Sequence, residues 1–228
     1  MIYRSVASLL LCLTTISLAS SSAPAGLFFY ETFDEADPFE SGKWTKSSDE
    51  KYVDQSISIT PAKQPVKGFE NDKGLQLSKE MKHYGISAKF PEPLSFQGQK
   101  ELVIQYELKL EDTLACGGAY VKLPRLTDGL DLSRLNSATP YTIMFGPDKC
   151  GSTNNKVHFI LQHQNPLTKG WEEKHFNDTP TVKMDKKYHL YTLSLKDDNS
   201  FEIFVDKKMS KKGNLLTHMK PSINPPKV

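Results

Sequence analysis

Leu102-Val103-Ile104-Gln105-Tyr106-Glu107-Leu108-Lys109-Leu110 sets Leu102, Ile104, Tyr106, Leu108 and Leu110 on one face of an extended chain. Gln105, Glu107 and Lys109 fall on the other. A period of two is that of a β-strand, and one apolar face with one polar face marks an antiparallel strand buried on a single side. Working outward, the same pattern predicts strands over residues 28–33, 52–59, 84–90, 119–123, 141–145, 157–162, 171–176, 188–195 and 201–205. Asp197-Asp198-Asn199-Ser200 closes the last two into a hairpin. About ten short strands, with helix confined to a turn around residues 130–135, predict an all-β chain of two packed antiparallel sheets, a β-sandwich of jelly-roll type.

The balance of charge narrows the function. Lys and Arg number 29 against 27 Asp and Glu, a formal charge of +2 over 228 residues, with 38% hydrophobic positions. That composition supports a full hydrophobic core and leaves no electrostatic footprint for nucleic acid, which is excluded as an expected partner. At the N-terminus Arg4 precedes an apolar run over residues 6–18, with small Ser17 and Ala19 before Ser20. This is the pattern of a cleavable secretory signal over residues 1–19. No later stretch reaches the ~18 apolar residues of a membrane-spanning helix. Cys12 leaves with the signal, so Cys116 and Cys150 are expected to pair as a disulfide in an oxidising compartment. Asn177-Asp178-Thr179 is an N-glycosylation sequon, followed directly by Pro180. Residues 219–228 hold three prolines and read as the start of a linker, placing the sandwich at residues 20–218.

Two stretches carry chemistry: Cys116-Gly117-Gly118-Ala119-Tyr120-Val121-Lys122-Leu123, and Tyr141-Thr142-Ile143-Met144-Phe145-Gly146-Pro147-Asp148-Lys149-Cys150-Gly151. Tyr120 and Lys122, two apart, face the same way in a strand. With Tyr141 and Met144 beside them they would form a sugar platform, the ring packing on a pyranose C–H face while the ammonium bonds hydroxyls. Ordinary strand tyrosines are the competing reading. Glu172 and Glu173 are adjacent, so only one can enter a given cleft. A glycosidase needs two carboxylates flanking one bond, and no such pair is visible; the chain is not read as an enzyme. Asn71-Asp72-Lys73-Gly74 is a turn offering one carboxylate and several carbonyl oxygens, the hard donors that Ca²⁺ takes. Most such turns bind nothing.

At these residues the sequence resembles the luminal lectin domain of the calnexin, calmegin and calreticulin family, nearer to calnexin. The match runs from about residue 28 to 227; besides the two cysteine-bearing stretches, it rests on Trp171-Glu172-Glu173-Lys174-His175 and His189-Leu190-Tyr191-Thr192-Leu193. The resemblance implies a concanavalin-like lectin fold and a Ca²⁺-dependent chaperone of the endoplasmic reticulum lumen. Such a chaperone holds the terminal glucose of monoglucosylated N-glycans on newly made glycoproteins and binds unfolded polypeptides. It implies that Tyr120, Lys122, Tyr141, Met144 and Glu173 contact glycan, and that Cys116 and Cys150 form a disulfide beside them. For Ca²⁺ it implies Asp72, with Thr32, Asn71 and Lys73 as backbone-oxygen donors. The family continues into a proline-rich arm that recruits a disulfide isomerase, then returns to complete the sandwich. Val228 ends this sequence before that point. The sandwich is therefore expected to be incomplete at its C-terminal end, the isomerase is not an expected partner, and no retention signal is read. The alternative reading is a truncated family member that binds proteins without reading sugar.

Overall fold

A computed structural model describes residues 26–223 apart from 35, 36 and 113; the expected signal and residues 224–228 lie outside them. The strands in chain order are β1 (Trp44–Lys46), β2 (Ile57–Pro61), β3 (Lys73–Leu77), β4 (Ile86–Ala88), β5 (Glu101–Lys109), β6 (Cys116–Gly118) and β7 (Val121–Pro124). They continue with β8 (Tyr141–Cys150), β9 (Asn154–Gln164), β10 (Trp171–Phe176), β11 (Tyr188–Lys196), β12 (Ser200–Val205), β13 (Lys208–Asn214) and β14 (Met219–Lys220). One sheet runs β14-β10-β9-β8, with β6 and β7 sharing the far side of β8; the other runs β13-β12-β11-β5. All their pairings are antiparallel. Two short ribbons, β1-β4 and β2-β3, complete the structure. Helix is limited to single turns, among them Leu132–Arg134, and no helix of the described residues is long and apolar enough to cross a membrane.

The alternation of β5 is what buries it. Leu102, Ile104, Tyr106 and Leu108 pack into the core while Val103, Gln105 and Glu107 face out. Opposite them β8 and β9 contribute Ile143, Phe145, Val157 and Phe159. From β12, Phe201 packs edge-on against Phe159 and Phe176, with ring centroids 4.9 and 4.8 Å away. The sandwich core thus joins aromatic rings carried by opposite sheets.

Several boundaries differ from the sequence expectation. Residues 28–33 do not form a strand: Phe28 and Phe29 pack on Phe90, and Phe29 and Phe33 on Trp44, so their apolar pattern serves a satellite aromatic cluster. Met219 is buried in the core and β14 pairs with β10, so packed structure continues past residue 218, where the linker was expected to begin. Lys174, buried on β10, holds this segment by donating to the Ser222 carbonyl at 2.9 Å. The lysine-rich β13 was not anticipated, because Lys208, Lys211 and Lys212 mask any apolar alternation. Those charges suit an edge strand, where they discourage pairing with another chain.

Candidate functional site

The outer face of the six-stranded sheet is assembled by register. Lys122 on β7 lies opposite Met144 on β8, Met144 opposite Ile160 on β9, and Gln162 opposite Glu173 on β10. By parity alone Tyr141 would share the inner face with Ile143 and Phe145. A register shift at Leu123/Pro124, where β8 passes two residues against one of β7, turns Tyr141 over. Tyr141 (4% exposed), Met144 (8%) and Ile160 (4%) then form a small buried cluster separate from the main core.

Polar groups rim this floor. The Tyr141 hydroxyl donates to Glu173 Oε1 at 2.5 Å, and His175 Nε2 lies 3.2 Å from Glu173 Oε2. Lys122 Nζ sits 4.7 Å from the centroid of the Tyr141 ring and 5.8 Å from that of Tyr120. Burial pulls the Lys122 ammonium below its ordinary range, with Glu173 acting the other way. Burial and the bond to Glu173 push the Tyr141 hydroxyl well up, which keeps it a donor. Farther along the face, His158 Nε2 stands 3.5 Å from Asp148 Oδ2, and burial pulls that imidazole down.

Glycines place Tyr120. Its ring lies on Gly118, where an added Cβ would come within 2.2 Å of the ring edge. Across the sheet Gly146 has φ +136°, and a Cβ there would meet the Tyr106 hydroxyl at 1.9 Å and Tyr120 Cα at 2.9 Å. Tyr106 rises from the opposite sheet and donates to the Ala119 carbonyl at 2.6 Å, in the break between β6 and β7. Cys116 and Cys150, directly opposed on β6 and β8, are joined by a disulfide just beyond. The face therefore combines an apolar floor, an exposed aromatic ring (Tyr120, 38% exposed), a cationic donor and a carboxylate acceptor. Such a mixture suits a neutral ligand with one C–H face and several hydroxyls.

Tyr120, Lys122, Tyr141, Met144 and Glu173 are thus brought together. Ile160, Gln162, His158 and His175 were not selected from the sequence, although counting back from the turn that sets Cys150 opposite Asn154 would have placed the first three on this face. Asn177 is exposed just past β10.

The second set meets elsewhere. Asn71 and Asp72 precede β3, which Lys73 opens, and the Lys73 amide donates to Asp34 Oδ1 at 3.1 Å. The Asp34 amide in turn donates to the Thr32 hydroxyl at 3.5 Å, so Thr32 and the turn meet through a carboxylate the sequence reading did not select. Burial pushes the nearby Glu107 carboxyl up, and the charges of Asp72 and Asp206 push it further. Carboxylate and carbonyl oxygens are hard donors and fit Ca²⁺ in kind. Among the described residues no group of three or more His, Cys, Asp and Glu is placed to hold a metal. An ion here would lean on Asp34, Asp72 and carbonyl oxygens.

Comparison with known proteins gives this geometry a setting. A family model described as the Calreticulin family matches residues 29–228. A calnexin homolog of Aspergillus fumigatus is 48% identical over 162 residues, 71% of this chain and 28% of that protein. Calmegin of Bos taurus is 41% identical over 215 residues, 90% of this chain and 35% of that protein. The solved T. cruzi calreticulin globular domain superposes with a TM-score of 0.69 at 32% identity, covering 87% of this chain and 73% of that one. This chain spans about a third of the length of those curated relatives. With a match over nearly all of its described residues, the chain belongs to the calreticulin family.

Proposed function

We propose that this chain is a lectin chaperone of the endoplasmic reticulum lumen that binds monoglucosylated N-glycans on folding glycoproteins, with Ca²⁺ supporting its structure. The observation that carries the reading is the convergence of Tyr120, Lys122, Tyr141, Met144 and Glu173 on one face through the register of four strands. A terminal glucose sits with its C–H face on Tyr120 and the Met144-Ile160 floor, donates hydroxyls to Glu173, and accepts from Lys122. Unfolded polypeptides reach the protein as glycan-bearing clients. Asp34, Asp72 and the oxygens of Thr32, Asn71 and Lys73 hold the Ca²⁺, which ties the segment before β1 to the turn before β3.

The test is thermal unfolding of the chain with a glucose-capped oligomannose and with the same glycan lacking that glucose. At a ligand concentration near 100 times Kd, binding to the native state contributes about 2.7 kcal/mol. For a chain of this size that raises the midpoint by roughly 5–10 °C. A shift with the capped glycan alone supports the lectin reading; a cooperative transition that neither glycan moves favours a sugar-blind interaction module. Calorimetric titration with CaCl₂ tests the cation, and Asp72→Asn is expected to weaken binding about tenfold or more. Equal heats from both chains would remove Asp72 from the site.

A further inference from the structure

A groove of about 560 Å³ opens between the edge strand β13 and the segment 179–183 that follows β10, and none of the residues proposed to contact glycan lines it. Thr179, Thr181 and Lys183 line one wall, Lys208 and Lys211 the other, with the largely buried Val205 between them. The first wall is held in place: the Val157 amide donates to the Pro180 carbonyl at 2.8 Å, and the Val182 amide to Asn155 Oδ1 at 3.0 Å. Lys208 and Lys211, three residues apart, would point to opposite faces of a regular strand. The register shift beside Ile203 and Phe204 admits Ser210 as an extra residue, so Lys208 opposes Val205 and Lys211 opposes Ile203, both core positions of β12. The bulge thereby turns both lysines to the groove.

Among the described residues β13 pairs with β12 alone, so its other edge is open. Asp206 and Lys207, with φ of 55° and 64°, form a two-residue turn of the I′ kind between Val205 and Lys208. In such a hairpin the closing pair exchanges both backbone bonds and the next pair, Phe204 with Met209, exchanges none. The Met209 amide and carbonyl therefore point away from β12, toward the open edge. Nearby carboxylates are already engaged: Asp206 lies 2.9 Å from His189 Nδ1, and Asp178 pairs with the Lys211 ammonium. Lys183 and Lys208 form no ion pair with any described carboxylate. The groove is thus positive and bordered by unpaired backbone.

Ammonium groups that repel a basic strand from this edge admit an acidic one. Lys208 and Lys211 stand on successive groove-facing positions of β13, so carboxylates at alternate residues of an added strand would meet them in turn. We propose that the groove is a docking site for an extended acidic polypeptide segment, which adds to β13 as a further strand with its carboxylates against Lys208, Lys211 and Lys183. The backbone of the segment bonds to Met209, and the hydroxyls of Thr179 and Thr181 face it from the other wall. Sugar plays no part in this site, which stands or falls independently of the lectin reading.

Fluorescence anisotropy of short labelled peptides added to the intact chain tests this. One peptide alternates glutamate and valine, a second alternates lysine and valine, and a third is the acidic peptide with its amide nitrogens methylated. The acidic peptide is expected to bind, less tightly as ionic strength rises, and the basic one is not. Combining Lys208→Gln with Lys211→Gln should weaken binding about tenfold, with thermal melts reading whether the variant is folded. Lys208→Gln alone, which breaks no ion pair, should weaken it about threefold and supplies the comparison if the double variant does not fold. Methylation should abolish binding, because it removes the backbone donors of an added strand. The proposal is overturned by an acidic peptide that does not bind the wild-type chain, by equal affinity for wild type and a folded lysine variant, or by undiminished binding of the methylated peptide. Vesicles of anionic phospholipid that bind where the acidic peptide does not would likewise overturn it and assign these lysines to a membrane surface.

Discussion

Gly118 and Gly146 both make room for tyrosines, yet substitutions at the two should behave differently. The three atoms nearest a Cβ on Gly118 all belong to the ring of Tyr120, a side chain exposed on its outer side. Gly118→Ala is therefore expected to change stability by less than about 1 kcal/mol while lowering affinity for a glucose-capped glycan about tenfold. Thermal melts and calorimetry on the one variant read both quantities; unchanged affinity would mean the Tyr120 ring is not part of the binding surface. At Gly146 a Cβ meets a core hydroxyl and backbone, at positive φ. Gly146→Ala should cost about 3 kcal/mol, because overpacking and the backbone conformation act together. The sequence shows both glycines, but not which one a tyrosine hydroxyl from the opposite sheet approaches.

Element by element, legibility followed periodicity. β5, β11 and β12 could be read because one face is oily and the other largely polar, and the Asp197–Ser200 segment does close β11 onto β12. Tyr141 is the instructive case. Grouping it with Met144 contradicts strand parity, and a bulge whose cause lies in the pairing of β7 with β8 resolves the contradiction. β13 and the segment 28–33 failed in opposite directions, one polar yet a strand, the other aromatic yet irregular. In both, tertiary packing overrides local pattern. The Asp34 contact with Lys73 joins residues distant in sequence and leaves no periodic signal.

The end of the β11-β12 pair away from its hairpin adds a pH dependence. His189 is buried, its Nε2 2.7 Å from Asp185 Oδ1 and its Nδ1 2.9 Å from Asp206 Oδ2. Only the imidazolium can donate to both carboxylates. Burial works against that charge, but the two hydrogen bonds outweigh it and raise the group above its ordinary value of 6.5. A group raised in the folded state contributes stability that is complete below its unfolded pKa and is lost as pH rises through its folded one. Urea midpoints should accordingly fall between pH 6 and alkaline pH, and His189→Gln should flatten that part of the profile. A variant keeping the wild-type slope there would assign the dependence to another group.

At the scale of the molecule, the six-stranded sheet and the β13-β12-β11-β5 sheet meet through one core rich in aromatic side chains, and Phe201 is central among them. It is fully buried, packs edge-on against Phe159 and Phe176 of the opposite sheet, and lies so close to Gly213 that a Cβ there would come within 2.5 Å of its ring. β13 thus presses bare backbone onto the ring, and little nearby can move in to fill a void. Phe201→Ala should therefore stand toward the costly end of the range for such truncations, about 3–5 kcal/mol. Against a typical total of about 5–15 kcal/mol this is a large fraction. Because Phe201 ties the sheets, their loss should be joint. In urea, far-ultraviolet circular dichroism reports both sheets, whereas the emission of Trp171 in a Trp44→Phe background reports the outer face of one. The two curves should shift together and stay coincident. If Trp171 emission held while the dichroism fell, the six-stranded sheet would be stable by itself, and the geometry of Tyr141 and Glu173 would not depend on the core beneath it.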